Sequence, residues 1–574
     1  RNYLREYDFI IVGSGPAGCV LANRLTENPN WNVLLIEAGT LEGPIEEIPI
    51  LAPYMFLTRY NWGYNAEPQP YACLGLKNGQ CGFPRGRALG GTSVINGMLY
   101  TRGTKQDFER WVQLGNYGWD YEEFVLPAFK RSEKANLKYY YKPDYHNHSG
   151  LLAVEHNPHK TPIADIFINA NKAMGLNEID YNSDDTVGVA HLQANTLNGK
   201  RHSAYKSFIE PILRRKNLHI MLNTHATKVL INPKTRIAHG VEMIRRNRRI
   251  LIWARKEVIL SAGSFHSPQL LMLSGIGPKH DLDRIGVPLL HNSPVGKEMH
   301  DHISFPGLVF VTNLTNPTAD FLGFQNVIPF MFQYLGGKGF MTIANGVEAL
   351  GFIKTPTSNS PHSGLPDVEL ILLALTPQTD GGYAVKESER LQSSIYDAVY
   401  KPLENMGTYT FLIVLSLFHP KSVGYLELRN RNPLSSPKFF ANFFKEPDDV
   451  ETLLDAIKYT LRLIETEPFK KIGTRVHDIP IPSCAQHEFG SDDYWRCAIR
   501  TFCVSLHHQV GTCKMGPSSD PTAIVSPELK VYGVKRLRVV DTSIIPESTT
   551  SHTNAASFMI GERAADFIKD DWRS

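Results

Sequence analysis

The start of the chain constrains the fold most tightly. Residues Tyr7 to Val12 read Tyr-Asp-Phe-Ile-Ile-Val, a short apolar run suited to a buried parallel strand. Gly13-Ser14-Gly15-Pro16-Ala17-Gly18 follows at once and fits G-x-G-x-x-G. An apolar helical segment, Cys19 to Leu25, leads to a second strand-like run, Asn32 to Ile36, which ends in Glu37. Gly13 permits the tight turn, Gly15 lets backbone approach a pyrophosphate, and Gly18 lets the helix pack on the strand. The helix N-terminus offers unpaired N–H groups and a positive dipole to phosphate. Glu37 lies about 20 residues beyond the loop, where an acid accepts hydrogen bonds from ribose hydroxyls. A lone glycine motif is weak evidence, and the bland reading is a turn in an unrelated strand–helix unit. Flanking strands, helix and correctly spaced acid together point to a dinucleotide without a 2′-phosphate. They do not separate NAD from FAD.

At 574 residues the chain exceeds one compact core. A net charge of +3 provides no strong field for nucleic acid or an acidic membrane surface. The densest charge cluster, Arg245, Arg246, Arg248 and Arg249, surrounds Asn247 between two strand-like runs and reads as a solvated hairpin turn. No apolar run reaches the roughly 18–20 residues that cross a bilayer. No metal site is expected. Cys73 and Cys81 flank a short loop with Gly75 and Gly79 that a disulfide would close. Cys484 and Cys497 form a second candidate pair, leaving Cys19, Cys503 and Cys513. With the sequons Asn147-His148-Ser149 and Asn313-Leu314-Thr315, these cysteines suggest a secreted glycoprotein. The start at Arg1 looks processed or truncated.

A second motif runs from Pro84 to Arg102: Pro-Arg-Gly-Arg-Ala-Leu-Gly-Gly-Thr-Ser-Val-Ile-Asn-Gly-Met-Leu-Tyr-Thr-Arg. Its glycines and small residues let backbone lie against a flat ligand, although a structural loop would read similarly. A third begins at Ser261-Ala262-Gly263-Ser264 and runs to Gly277-Pro278. Gly511-Thr512-Cys513-Lys514-Met515-Gly516 and Val539-Val540-Asp541-Thr542-Ser543 follow near the end. In this order the motifs resemble the glucose–methanol–choline (GMC) oxidoreductases along essentially the whole chain. Asn61-Trp62-Gly63-Tyr64 and Cys513-Lys514-Met515-Gly516 resemble the insect branch.

The resemblance implies FAD rather than NAD. It places Gly13, Gly15, Gly18 and Glu37 at the ADP half. Arg87, Gly91, Thr92, Asn96, Gly97 and Met98 fall at the pyrophosphate and isoalloxazine. Val229 falls at adenine, and Asp541 and Thr542 at the ribityl and phosphate region. Some relatives tether FAD through a histidine at the position of Ile95. Isoleucine has no nucleophilic atom, so non-covalent FAD is expected.

Oxidising an alcohol requires a base near the hydroxyl with a pKa close to working pH, which suits histidine. The chain has 21 histidines, so residue type alone proves little. The resemblance singles out His508, three residues before Gly511, as base, and His552 as the second catalytic position. His507 would point to the opposite face if the segment is extended, which leaves it a packing role. Asn554 could contact substrate or flavin from the turn of His552. The implied reaction moves a hydride from a primary alcohol to flavin N5, with dioxygen or a quinone- or dye-like acceptor reoxidising the flavin.

The motifs divide the chain into an α/β, Rossmann-type FAD-binding part (residues 1–115, 200–295 and 520–574) and a discontinuous α+β substrate part, an antiparallel sheet plus helices (116–199 and 296–519). Strand-like runs are expected at Asp367 to Leu375 and Thr408 to Phe418, and helices at Asp448 to Ile464 and Phe558 to Ile568. Phe321, Phe324, Phe330, Met331, Phe332, Phe340 and Met341 enrich the substrate part in apolar side chains. They read first as core. If some face the flavin, an aromatic or terpenoid alcohol is favoured, as for enzymes resembling insect salicyl alcohol oxidases. A glucose dehydrogenase of the same branch is the close rival, and a flavin-binding protein that has lost catalysis the distant one.

Overall fold

The structure, a computed structural model, describes residues 3–315, 324–357, 364–404 and 406–573. Two sheets organise it. In the first, Glu6–Val12 lies parallel to Val33–Ile36 on one side and to the end of Arg248–Leu260 on the other. Leu218–Met221 and Leu537–Val539 extend the parallel core. All of Val33–Ile36, and all but the first residue of Glu6–Val12, are buried. Burial on both faces explains why these strands are continuous apolar runs rather than alternating ones. The first half of Arg248–Leu260 pairs antiparallel with Ala238–Arg245. The two-residue turn between them, Arg246-Asn247, has positive φ at both positions, as a tight hairpin demands. The arginine cluster is therefore a hairpin end, with residues 246–249 exposed.

The second sheet is antiparallel, with eight strands among the described residues. Its path runs Arg475–Val476, Val309–Thr315, Thr408–Leu417, Val368–Leu373, Val347–Ile353 and Gly188–His191. Ile303–Phe305 pairs with the end of Thr408–Leu417 and also with Val504–Ser505. That edge carries the chain toward His507 and His508. The strands of the first sheet fall within 1–115, 200–295 and 520–574, and those of the second within 116–199 and 296–519.

Helix Asp448–Leu463 packs on strand Thr408–Leu417. The terminal helix, Thr553–Asp571, starts five residues before the expected Phe558, which puts His552 at its N-cap. It lies along helix Pro16–Leu25, with Gly561 at the crossing. A Cβ there would sit 2.9 Å from Ala17 Cα. Disulfides join Cys73 to Cys81 and Cys484 to Cys497, while Cys19, Cys503 and Cys513 are free and buried.

Candidate active site

A continuous cavity runs between the two sheets. One end is the nucleotide loop. Gly15 caps helix Pro16–Leu25 without a side-chain hydrogen bond, leaving the first-turn N–H groups to a ligand. A Cβ on Gly13 would strike Ser261 O at 2.3 Å, and one on Gly18 would strike Gly13 O at 2.1 Å. The motif's spacing thus follows from backbone packed on backbone. Glu37 accepts from the Ser14 hydroxyl (2.6 Å) and the Gly39 N–H (2.7 Å). Gly91 folds against Gly15, where a Cβ would come within 2.6 Å of Gly15 Cα.

Of the expected cofactor residues, Gly13, Gly15, Glu37, Gly91, Thr92, Asn96, Gly97, Met98, Asp541 and Thr542 line the cavity. Asp541 also ties elements together, accepting from the Gly263 N–H (2.9 Å), the Ser267 hydroxyl (2.6 Å) and the Ser543 N–H (2.9 Å). Three expected residues stand off the wall. Gly18 serves helix packing. Arg87 lies over the Trp62 ring at 4.6 Å. Val229 is buried with its N–H donated to the Ser274 hydroxyl (2.9 Å), so that N–H is committed within the protein. Thr224, His225 and Ala226 border the cavity from the same strand.

The other end gathers histidines. His508 and His552 line the cavity with their rings edge to face, and His508 Nε2 lies 3.2 Å from His552 Nδ1. Two residues absent from the sequence reading complete the chain. His302 Nδ1 lies 3.0 Å from His508 Nδ1, and Glu369 stands 3.1 Å from His552 Nε2. Backbone groups of Thr549 and Phe418 also face the His302 ring. With His302 Nδ1 as acceptor from His508, the His508 Nε2 is left as an acceptor. Glu369, wholly buried, accepts from His552 Nε2–H. A second proton on His552, at Nδ1, would point at His508 Nε2. A hydroxyl lying alongside this pair would meet one acceptor and one donor.

Electrostatics keep His508 neutral. Burial first, then the neighbouring His552, His302 and His507 and the Arg85 guanidinium, hold His508 well below the usual histidine range. Arg85 lines the cavity, sits 4.5 Å over the Phe265 ring, and is lowered to about 10 by burial. Beneath the histidines, Asp301 accepts from the Ser505 hydroxyl, the His508 N–H (2.9 Å) and the Gln509 amide (2.6 Å). It fixes the loop that aims His508. Burial pushes its carboxyl up to about 7.

One expectation needs correction. His507 was assigned the opposite face from His508, yet both line the cavity. The segment is bent: His507 has φ +65°, a conformation found at functional sites and supported here by its N–H to the Ser505 hydroxyl (2.8 Å). The His507 ring meets Phe56 edge-on and burial lowers it to about 3. The apolar run bears out its first reading as core, and its described side chains do not line the cavity. Phe330, Met331, Phe340 and Met341 pack in a separate cluster with Ile48, Ile50 and Tyr334, and Phe332 is exposed. Phe321 and the Phe324 side chain lie outside the described residues. The cavity is walled instead by Phe56, Leu373, Leu412, Val414, Phe502 and Val504.

Models of the GMC oxidoreductase family match residues 7–304 and 420–561, and the chain belongs to that family. It is accordingly an FAD-dependent oxidoreductase. It is similar to a glucose dehydrogenase [FAD, quinone] of Drosophila pseudoobscura pseudoobscura, 38% identical over 99% of this chain and 87% of the relative. An oxygen-dependent choline dehydrogenase of Sinorhizobium fredii is 34% identical over 98% and 95%. Its fold matches a crystal structure of formate oxidase with TM-score 0.86 at 24% identity, covering 99% of both chains.

Proposed function

We propose that the protein oxidises an apolar primary alcohol, aromatic or terpenoid, to the aldehyde and passes the electrons to dioxygen. The observation that carries this reading is a neutral histidine acceptor, His508 Nε2, opening into a cavity walled by Phe56, Leu373, Leu412, Val414, Phe502 and Val504. The residues fit FAD: the backbone cradle at Gly13, Gly15 and Gly91 would hold the pyrophosphate, and Glu37 the ribose. When bound there, FAD supplies the acceptor for the hydride that leaves the alcohol carbon. His508 Nε2 takes the hydroxyl proton, and its Nδ1–H, held by His302, fixes the ring. His552, held by Glu369, supports the oxygen as negative charge develops. The apolar wall excludes water and strengthens both interactions. The disulfides and the sequon at exposed Asn313 support secretion.

A quinone-linked dehydrogenase is the second reading, favoured by the 38% identity to a glucose dehydrogenase [FAD, quinone]. Hydrogen peroxide and dye reduction, followed in parallel with benzylic and terpenoid alcohols and with glucose, separate the two. Peroxide matching aldehyde supports the oxidase. Glucose-dependent dye reduction with negligible peroxide refutes it.

A further inference from the structure

The cavity wall carries a carboxylate that the proton chain does not use. Glu389 lines the cavity beside Val385 at the end of the short helix Ala384–Ser388. The other acids of the site are satisfied. Glu37 has Ser14 and Gly39, Asp541 has Gly263, Ser267 and Ser543, Asp301 has Ser505, His508 and Gln509, and Glu369 has His552. Among the described residues, no cation or hydrogen-bond donor reaches the Glu389 carboxylate. Burial alone raises it to about 7, and none of the site's histidines contributes. It stands apart from the proton chain.

Its position is built. The Lys77 N–H donates to Arg390 O (2.7 Å), Leu76 bridges Leu391, and the Gln392 N–H donates to Gly75 O (3.0 Å). The loop closed by Cys73–Cys81 therefore grips the residues that follow Glu389. The Glu389 carboxylate is left for a donor in the cavity to reach.

We propose that Glu389 selects the substrate, accepting a hydrogen bond from a hydroxyl or ammonium group at the end of the alcohol remote from the carbon that His508 serves. This rests on the alcohol-oxidation reading and narrows it. The preferred molecule is apolar in the middle, carries the reacting hydroxyl at one end and a donor at the other. Alcohols whose far end is a carboxylate are disfavoured by like charge.

The test compares 4-methylbenzyl alcohol, 1,4-benzenedimethanol and 4-(aminomethyl)benzyl alcohol with the flavin-loaded protein, Glu389→Gln and Glu389→Leu. Turnover and binding, the latter by flavin difference spectra, are both measured. In the wild type at least one donor-bearing compound binds roughly tenfold or more tightly than the methyl compound, as a hydrogen bond to a charged group provides. Glu389→Leu abolishes that preference while leaving the methyl compound unchanged. Glu389→Gln keeps part of the preference for the diol and loses any for the amine, which tells hydroxyl from ammonium. If donor-dependent binding is present but none of the three is oxidised, the alcohol class fails and the assignment of Glu389 stands. Wild-type affinity that ignores the remote group, or absent binding of both donor-bearing compounds, overturns the assignment. So does a Leu variant that keeps the preference.

Discussion

Replacing Glu369 by Gln keeps the shape of the chain Glu369–His552–His508–His302 and removes its only carboxylate. Glu369 is wholly buried, His552 is nearly so, and 3.1 Å separates Oε2 from Nε2. Breaking a buried pair costs about 3–5 kcal/mol. His552 borders the cavity, so the lower figure applies. About 3 kcal/mol lost where His552 supports the alcohol oxygen is roughly 100-fold in rate. Anaerobic stopped-flow flavin reduction at saturating alcohol reads this step directly. The decisive comparison is a double-mutant cycle. Glu369 acts through His552, so Glu369→Gln in a His552→Asn background should cost less than about threefold. If the two losses simply multiply, Glu369 does not work through His552 and the proposed polarity of the chain is wrong.

The remaining predictions are independent of that pair. His508→Ala should slow flavin reduction at least ~100-fold, and a near-normal rate would transfer the base's role to His507 or His552. Burial lowers His302, His507 and His266 to about 3 and His300 to about 4. The unfolded chain then binds more protons than the folded one below about pH 6.5, so stability should fall as pH drops from there; a melting temperature flat from about pH 7 to about pH 5 contradicts this. Asn313 is exposed, whereas Asn147 already donates its side-chain amide to Lys130 O (2.7 Å). Mass spectrometry should find sugar at Asn313 and none at Asn147, and the reverse pattern defeats the argument. Acid precipitation should release yellow FAD because Ile95 has nothing to bond it, and flavin remaining on the denatured chain refutes that.

What was legible in the sequence was local. Gly13, Gly15, Gly18 and Glu37 act within one strand–loop–helix unit, and their spacing records backbone contacts that permit no side chain. The strand at Thr408 and the helix at Asp448 carry their period in contiguous residues. Glu369 and His302 left no such trace. They reach His552 and His508 across 183 and 206 positions, and the pairing depends on how the antiparallel sheet is threaded. His507 was misplaced because the pleat rule assumes extended backbone, and one residue at φ +65° reverses it. The aromatic run around Phe330 was recognisably apolar, but hydrophobicity does not say which cluster a side chain joins.

Both disulfides bear on one short segment. The Leu74 N–H donates to Arg500 O, the Gly75 N–H to Thr501 O, and Cys484 Sγ lies 3.5 Å from Thr501 Oγ1. The Cys73 N–H donates to Cys503 Sγ (3.1 Å). Five residues further on stands His508. The proposed nucleotide cradle at Gly13, Gly15 and Glu37 relies on neither crosslink. Holding the coenzyme and using it thus have different requirements during biosynthesis. Chain made in a reducing compartment should emerge coloured but idle, and oxidation of its thiols should restore turnover without further uptake of flavin.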